Sequence, residues 1–251
     1  MFKKCSLLLL FGSLGLHLHA QSVGLVLSGG GSKGLAHIGV IKALEEAQIP
    51  IDYVGGTSMG AIVGACYAMG LNTDEIIEIV KSDDFSYWIS GVIEEEYKYY
   101  FKSESPEPDL IRIGLDIRDT VPKTRLPLSY IPNHLMDFAF MEIFSRASAA
   151  AGYDFDSLFV PYLCNAVDIS NSREIVFRKG DLSQAVRASM TVPLYFRPIV
   201  MDGNILYDGG IYNNFPVQHV LEQFNPDILI GSKAAKGNTP PDEFDILAQI
   251  E

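Results

Sequence analysis

The sequence predicts an α/β fold with a mainly parallel sheet. Two observations carry that expectation. Val23–Leu27 is an unbroken apolar run ending in glycines, the pattern of a strand buried on both faces. Helix, strand and helix patterns then follow before residue 72, and such alternation builds a parallel sheet covered by helices. With 251 residues, 48% of them hydrophobic, the chain can fill the core of one such domain or of two small ones.

The first helix is expected over residues 35–47. Ala36, Val40, Ala43, Leu44 and Ala47 form its apolar face, Lys42, Glu45 and Glu46 take the wet side, and Pro50 ends the unit. Tyr53-Val54-Gly55 reads as a second strand. Residues 59–69 form a helix rich in small residues, closed by Gly70. Asn72 with Glu75 has the spacing of a capping box for a helix through about Val80. Residues 83–108 are acidic and aromatic, with Trp88 and the run Tyr97–Phe101, and show no clear period.

Residues 111–117 read as a strand. Residues 133–151 form a long helix carrying Met136, Phe140, Met141 and Phe144. Residues 162–169 and 174–178 form a strand pair joined at Ser170-Asn171-Ser172. A helix over 182–190 follows, then strands 199–201 and 205–207 around the turn Asp202-Gly203-Asn204. A helix over 217–224 and a strand over 227–230 complete the domain. No internal repeat is present.

Residues 1–20 read as a secretory signal peptide. Lys3 and Lys4 form a basic start, residues 7–16 an apolar run too short to span a bilayer, and Ala20 a small residue for cleavage. The expected location is the periplasm, the outer membrane or the cell surface. The globular domain is expected over 21–235, with 236–251 the start of a truncated linker or following region. The net charge of −12 becomes about −14 once the leader is removed, which argues against nucleic acid and leaves any lipid contact local and apolar. Cys66 and Cys164 fall in apolar element patterns and read as buried free thiols.

Three motifs carry chemistry. Gly56-Thr57-Ser58-Met59-Gly60 places a serine between a strand and a helix, where the turn exposes the hydroxyl and small flanking residues avoid a clash. Asp208-Gly209-Gly210 holds a carboxylate on a tight turn after a strand. Gly29-Gly30-Gly31, continuing as Ser32-Lys33-Gly34, lets backbone N–H groups converge on an anion. A nucleophile, a base and a set of N–H donors are the parts needed for acyl transfer. The base is open at this stage. His37 lies in the first helix and His134 begins the long one. His219 follows Asp208 in a Ser, Asp, His order, so a Ser58-Asp208-His219 triad of an esterase or peptidase is conceivable. A desolvated Asp208 could instead act alone. Gly29, Gly31 and Gly34 also match a dinucleotide fingerprint, but Asp52 opens the second strand where the ribose-binding acid should close it. Asp168 and Asp202 read as strand-end and turn residues.

Taken together, the three motifs resemble those of the patatin-like phospholipases. Ala188-Ser189-Met190-Thr191-Val192-Pro193 is also similar to the stretch ahead of that family's aspartate strand, so the likeness covers about residues 23–232. The resemblance implies a three-layer fold whose central sheet is flanked by helices. It implies a Ser58–Asp208 dyad without histidine, an oxyanion hole at Gly29, Gly30 and Gly31, and support from Lys33, Gly34, Gly56, Gly60, Gly209 and Gly210. It implies hydrolysis of fatty acyl esters of phospholipids or related lipids, with transient membrane contact and neither metal nor cofactor. Lys33 stands where many members have arginine, which puts only that side chain's contribution in doubt. The leader is similar to that of bacterial members carrying a C-terminal outer-membrane β-barrel, a domain outside this sequence. A non-catalytic envelope binding module is the remaining alternative.

Overall fold

The computed structural model describes residues 21–92, 114–116, 123–125 and 131–235. The leader, the Tyr97–Phe101 run and residues 236–251 lie outside the described residues.

Seven strands form one sheet: β1 (Val23–Leu27), β2 (Tyr53–Gly56), β5 (Tyr162–Asp168), β6 (Arg173–Phe177), β7 (Ile199–Met201), β8 (Asn204–Asp208) and β9 (Ile228–Ser232). The order is β7-β8-β5-β2-β1-β9, with β6 also paired to β5. A separate antiparallel pair joins β3 (Gly114–Asp116) and β4 (Lys123–Arg125). Strands β9, β1, β2 and β5 run parallel, whereas β6 and β8 run antiparallel to β5. The sheet is therefore mixed, with a parallel half. The short turns after β5 and β7 impose this, because a hairpin can join only antiparallel strands.

The register of β5 explains how distant segments meet. Ala166 pairs with Ile175 of β6 and with Asp208 of β8, so β6 and β8 lie on opposite edges. Cys164 pairs with Phe177 of β6 and with Gly56 of β2, so β2 shares the edge of β8. β2 and β8 run toward each other along that edge. Their C-terminal ends meet opposite Cys164 and Ala166.

The helices are α1 (Ala36–Glu46), α2 (Met59–Ala68), α3 (Thr73–Lys81), α4 (Asp83–Ser90), α5 (His134–Ala150), α6 (Leu182–Ser189) and α7 (Val217–Phe224). Alternation along the strands divides the core into two main parts. Leu25, Leu27, Val54, Tyr162 and Cys164 pack against α1, α2, α5 and α6. Val26 and Leu163 pack against Val220 of α7 on the other face. Gly55 admits α7, since a Cβ there would fall 2.3 Å from Val220 Cγ2. Small residues let α2 sink almost wholly into the core. The Asn72–Glu75 capping box opens α3 as expected. Helix α4 was not expected. Ser82 caps it by accepting the Phe85 N–H at 3.1 Å, and left-handed Gly91 ends it. Cys66 and Cys164 are free and buried, and burial pushes both thiols up to about 12.

Candidate active site

Ser58 sits on the turn from β2 to α2 with φ 54° and ψ −121°, a backbone region that side chains other than glycine rarely occupy. The turn is held against the end of β1. A Cβ at Gly60 would fall 2.4 Å from the Leu27 carbonyl oxygen, and one at Gly56 would fall 2.3 Å from the Gly60 oxygen. The Thr57 N–H donates to Leu27 O at 3.1 Å, and the Ser58 N–H donates to Ser189 Oγ at 3.0 Å. Ser58 is buried, with 8% of its surface exposed.

Asp208 ends β8 and is 6% exposed. Its N–H donates to Thr191 O at 2.9 Å, and its Oδ1 accepts the Gly210 N–H at 2.7 Å. Burial pushes its carboxyl up to about 6, against smaller downward pulls from the Ser58 side chain and the Gly210 N–H. The head-to-head meeting of β2 and β8 thus brings the serine to a carboxylate whose proton affinity is raised. The Arg187 guanidinium donates to Thr191 Oγ1 at 2.6 Å and to Asp137 Oδ1 at 2.8 Å, which ties the Asp208 support to α5.

The glycine loop is less uniform than its sequence. The Gly29 N–H donates to Asn214 O at 3.0 Å and is therefore engaged. Gly29 instead contributes space, because a Cβ there would lie 2.2 Å from Asn214 Oδ1. Among the described residues, the Gly30 and Gly31 N–H groups have no partner. Of the expected oxyanion residues Gly29, Gly30 and Gly31, the first therefore has its N–H already engaged. Gly31 has φ 53°, and Gly34 makes room for Met59, whose Cβ lies 2.7 Å from where a Gly34 Cβ would stand. Lys33 is exposed. Gly209 lies under Asn165, whose carbonyl oxygen would be 2.5 Å from an added Cβ.

The histidines lie elsewhere. His37 is buried and bridges β1 to β9, with Nε2 2.8 Å from Ser28 O and Nδ1 2.7 Å from Ser232 Oγ. Burial lowers its pKa, so the neutral ring donates from Nε2 and accepts at Nδ1. His134 is exposed at the start of α5. His219 lies on α7 with Nε2 2.9 Å from Glu174 Oε2. Neither Ser58 nor Asp208 touches it in any described contact, so the structure does not assemble the triad.

Sequence reasoning missed Asn165 as a hub. Its amide is fully buried. It accepts the Thr57 hydroxyl at 2.6 Å, and donates to Glu174 Oε1 at 2.7 Å and to Asn213 O at 2.9 Å. One side chain therefore joins the serine turn, the sheet and the segment after Asp208. The available signal was a lone amide inside the apolar run Tyr162–Val167. Ser189 and Asn214 carry no such signal, since a lone serine within 188–193 and an asparagine after a glycine turn are ordinary in sequence. Among the described residues no group of three or more metal-ligating side chains is present.

This arrangement agrees with the comparisons to known proteins. The family described as patatin-like phospholipase matches residues 25–221. Lysophospholipase NTE1 of Pyricularia oryzae is 34% identical over 219 residues, covering 87% of this chain and 12% of that protein. Lysophospholipase NTE1 of Kluyveromyces lactis is 34% identical over 206 residues, covering 82% of this chain and 12% of its own length. The chain thus spans a small part of these curated relatives. Among solved structures, VipD of Legionella pneumophila aligns with a TM-score of 0.52 at 15% identity, over 84% of this chain and 49% of that one, which bears on the fold alone. With a family match across most of its length and the serine turn, glycine loop and aspartate turn gathered at one point, the chain belongs to the patatin-like phospholipase family.

Proposed function

We propose that the protein is a lipid acyl hydrolase that cleaves fatty acyl esters of phospholipids, lysophospholipids included, through Ser58 and Asp208. One observation carries this reading: β2 and β8 converge on one edge of β5 and bring a strained serine to a buried aspartate with a raised pKa. A carboxyl pushed up to about 6 is ionised at neutral pH, yet is a better proton acceptor than a solvated one. The name lysophospholipase borne by the fungal relatives supports the substrate class.

The reaction runs in two displacements. Ser58 Oγ attacks the ester carbonyl carbon while Asp208 takes its proton. The carbonyl oxygen becomes an oxyanion and accepts hydrogen bonds from the Gly30 and Gly31 N–H groups. The intermediate collapses, the C–O bond to the alcohol breaks, and Asp208 returns the proton to the leaving oxygen. Water then loses a proton to Asp208 as it attacks the acyl-serine. Fatty acid departs and Ser58 regains its proton.

Contact with the lipid surface is local and transient on this reading. Ile211 and Tyr212, just after the aspartate turn, and Leu194 and Tyr195, just after Thr191, are all exposed. They offer apolar contact on an otherwise acidic protein. The leader pattern of residues 1–20 supports export, which fractionation of expressing cells would test.

The test of the activity is fatty acid release from mixed phospholipid vesicles by wild type, Ser58→Ala and Asp208→Ala. Release by wild type and loss in both folded variants is the expected result. Undiminished release by Ser58→Ala would overturn the reading.

A further inference from the structure

Asn214 follows the aspartate turn, and its backbone is fixed because its carbonyl accepts the Gly29 N–H at 3.0 Å. Its side chain has no hydrogen-bond partner among the described residues, although the residue is half-buried. The space around two glycines locates the amide. A Cβ at Gly29 would lie 2.2 Å from Asn214 Oδ1 and 3.1 Å from Ser58 Cβ. A Cβ at Gly210 would lie 2.8 Å from the same Oδ1 and 3.0 Å from Asp208 Oδ1. The amide therefore fills the gap between the glycine loop and the aspartate turn. The nucleophile lies on one flank and the base on the other.

We propose that Asn214 is a further catalytic residue, donating a hydrogen bond from Nδ2 to the tetrahedral intermediate beside the Gly30 and Gly31 N–H groups. This inference rests on the reading of Ser58 as nucleophile. Three observations converge on it. First, the Gly29 N–H cannot donate to substrate, because the Asn214 carbonyl holds it. The side-chain amide of the same Asn214 stands over Gly29, with Oδ1 on that side. Second, a half-turn about χ2 exchanges Oδ1 and Nδ2 within the same volume, so the donor can be presented without moving the backbone. Third, the amide is half-exposed and bonds to no protein group among the described residues, so it is free to exchange solvent for a ligand beside the reaction centre. A hydrogen bond that strengthens as the carbonyl oxygen gains charge accelerates the chemical step rather than tightening ground-state binding. Asn214 moves no proton, so the proton transfers between Ser58, Asp208, the leaving alcohol and water are unchanged.

The experiment measures hydrolysis of a soluble short-chain p-nitrophenyl ester by wild type, Asn214→Ala, Asn214→Asp and Ser58→Ala, with thermal melts of each. Asn214→Ala is expected to lower kcat about 10²-fold with KM little changed. Asn214→Asp keeps the shape but places a negative charge beside the oxyanion, so it is expected to fall at least as far while still melting cooperatively. Full kcat in a folded Asn214→Asp or Asn214→Ala variant, with Ser58→Ala inactive, would overturn the role of Asn214 and leave the nucleophile standing. Activity retained by Ser58→Ala would instead overturn the nucleophile, and this inference with it.

Discussion

The Thr57 hydroxyl donates to Asn165 Oδ1 at 2.6 Å across 108 residues of sequence, tying the residue before the candidate nucleophile to the strand that pairs with β8. The Asn165 amide also donates to Glu174 and to the Asn213 carbonyl. Asn165→Ala would take the acceptor from the buried Thr57 hydroxyl and remove one of the two described donors to the Asn213 carbonyl, along with a donor to the part-exposed Glu174 carboxylate. We expect a stability loss of roughly 2–3 kcal/mol and a lower kcat, because unsatisfied buried polar groups cost about 1–3 kcal/mol each. Urea denaturation and ester hydrolysis, measured on the same samples, check both.

The pH profile should carry the signature of Asp208. As the base it must be ionised, and burial pushes it up to about 6. kcat/KM on a soluble ester should therefore fall with unit slope below about pH 6 and stay level through neutrality. A limb near pH 4, the range of a solvated aspartate, would mean that Asp208 is not the base.

The same shift makes a stability prediction of defined sign. The folded-state pKa lies above the unfolded value of 3.8, so folding favours the protonated carboxyl. That contribution is full below the unfolded pKa and is lost as pH rises through about 6. Asp208→Asn removes the titration. The variant should therefore gain stability relative to wild type by up to about 3 kcal/mol on going from pH 4 to pH 8. Chemical denaturation at the two pH values measures it, and the expected pattern is a more stable, inactive protein.

Much of this arrangement was legible in the residues, for reasons that are local. The apolar run of β1, the small residues of α2 and the Asn72–Glu75 cap are each written within a few positions. What escaped was either too short or too distant. Helix α4 has eight residues and lies in an aromatic stretch, so only Ser82 and Gly91 mark it. The convergence of β2 and β8 depends on register along β5, and no local pattern states that Cys164 and Ala166 are the meeting point. Equivalent-looking glycines also differ by partner: the Gly29 N–H is engaged by Asn214, a contact 185 positions away in sequence.

His219 provides a direct comparison of mechanisms. It reaches Glu174 rather than Asp208. His219→Ala should keep kcat within about threefold of wild type, whereas loss of a triad base would lower it by several orders of magnitude. Steady-state kinetics on one ester settle the point, since a large drop in a folded His219→Ala protein would restore the triad.

Two glycines to alanine should separate in opposite directions. A Cβ at Gly60 would meet the Leu27 and Ser28 carbonyl oxygens at 2.4 and 2.6 Å. Both are backbone atoms at the end of a buried central strand, so neither can rotate away as a side-chain tip could. Relief would have to come from α2 withdrawing from β1, and Ser58 would move with it. Gly60→Ala should therefore cost about 3 kcal/mol or more and abolish turnover even where the protein still folds. Gly39 lies on the exposed side of α1 with nothing within 4 Å of an added Cβ. Gly39→Ala should raise stability by about 0.5–1 kcal/mol through helix propensity, with unchanged kcat. Thermal melts and ester kinetics on the pair test whether close backbone approach, rather than glycine flexibility in general, holds the serine in place.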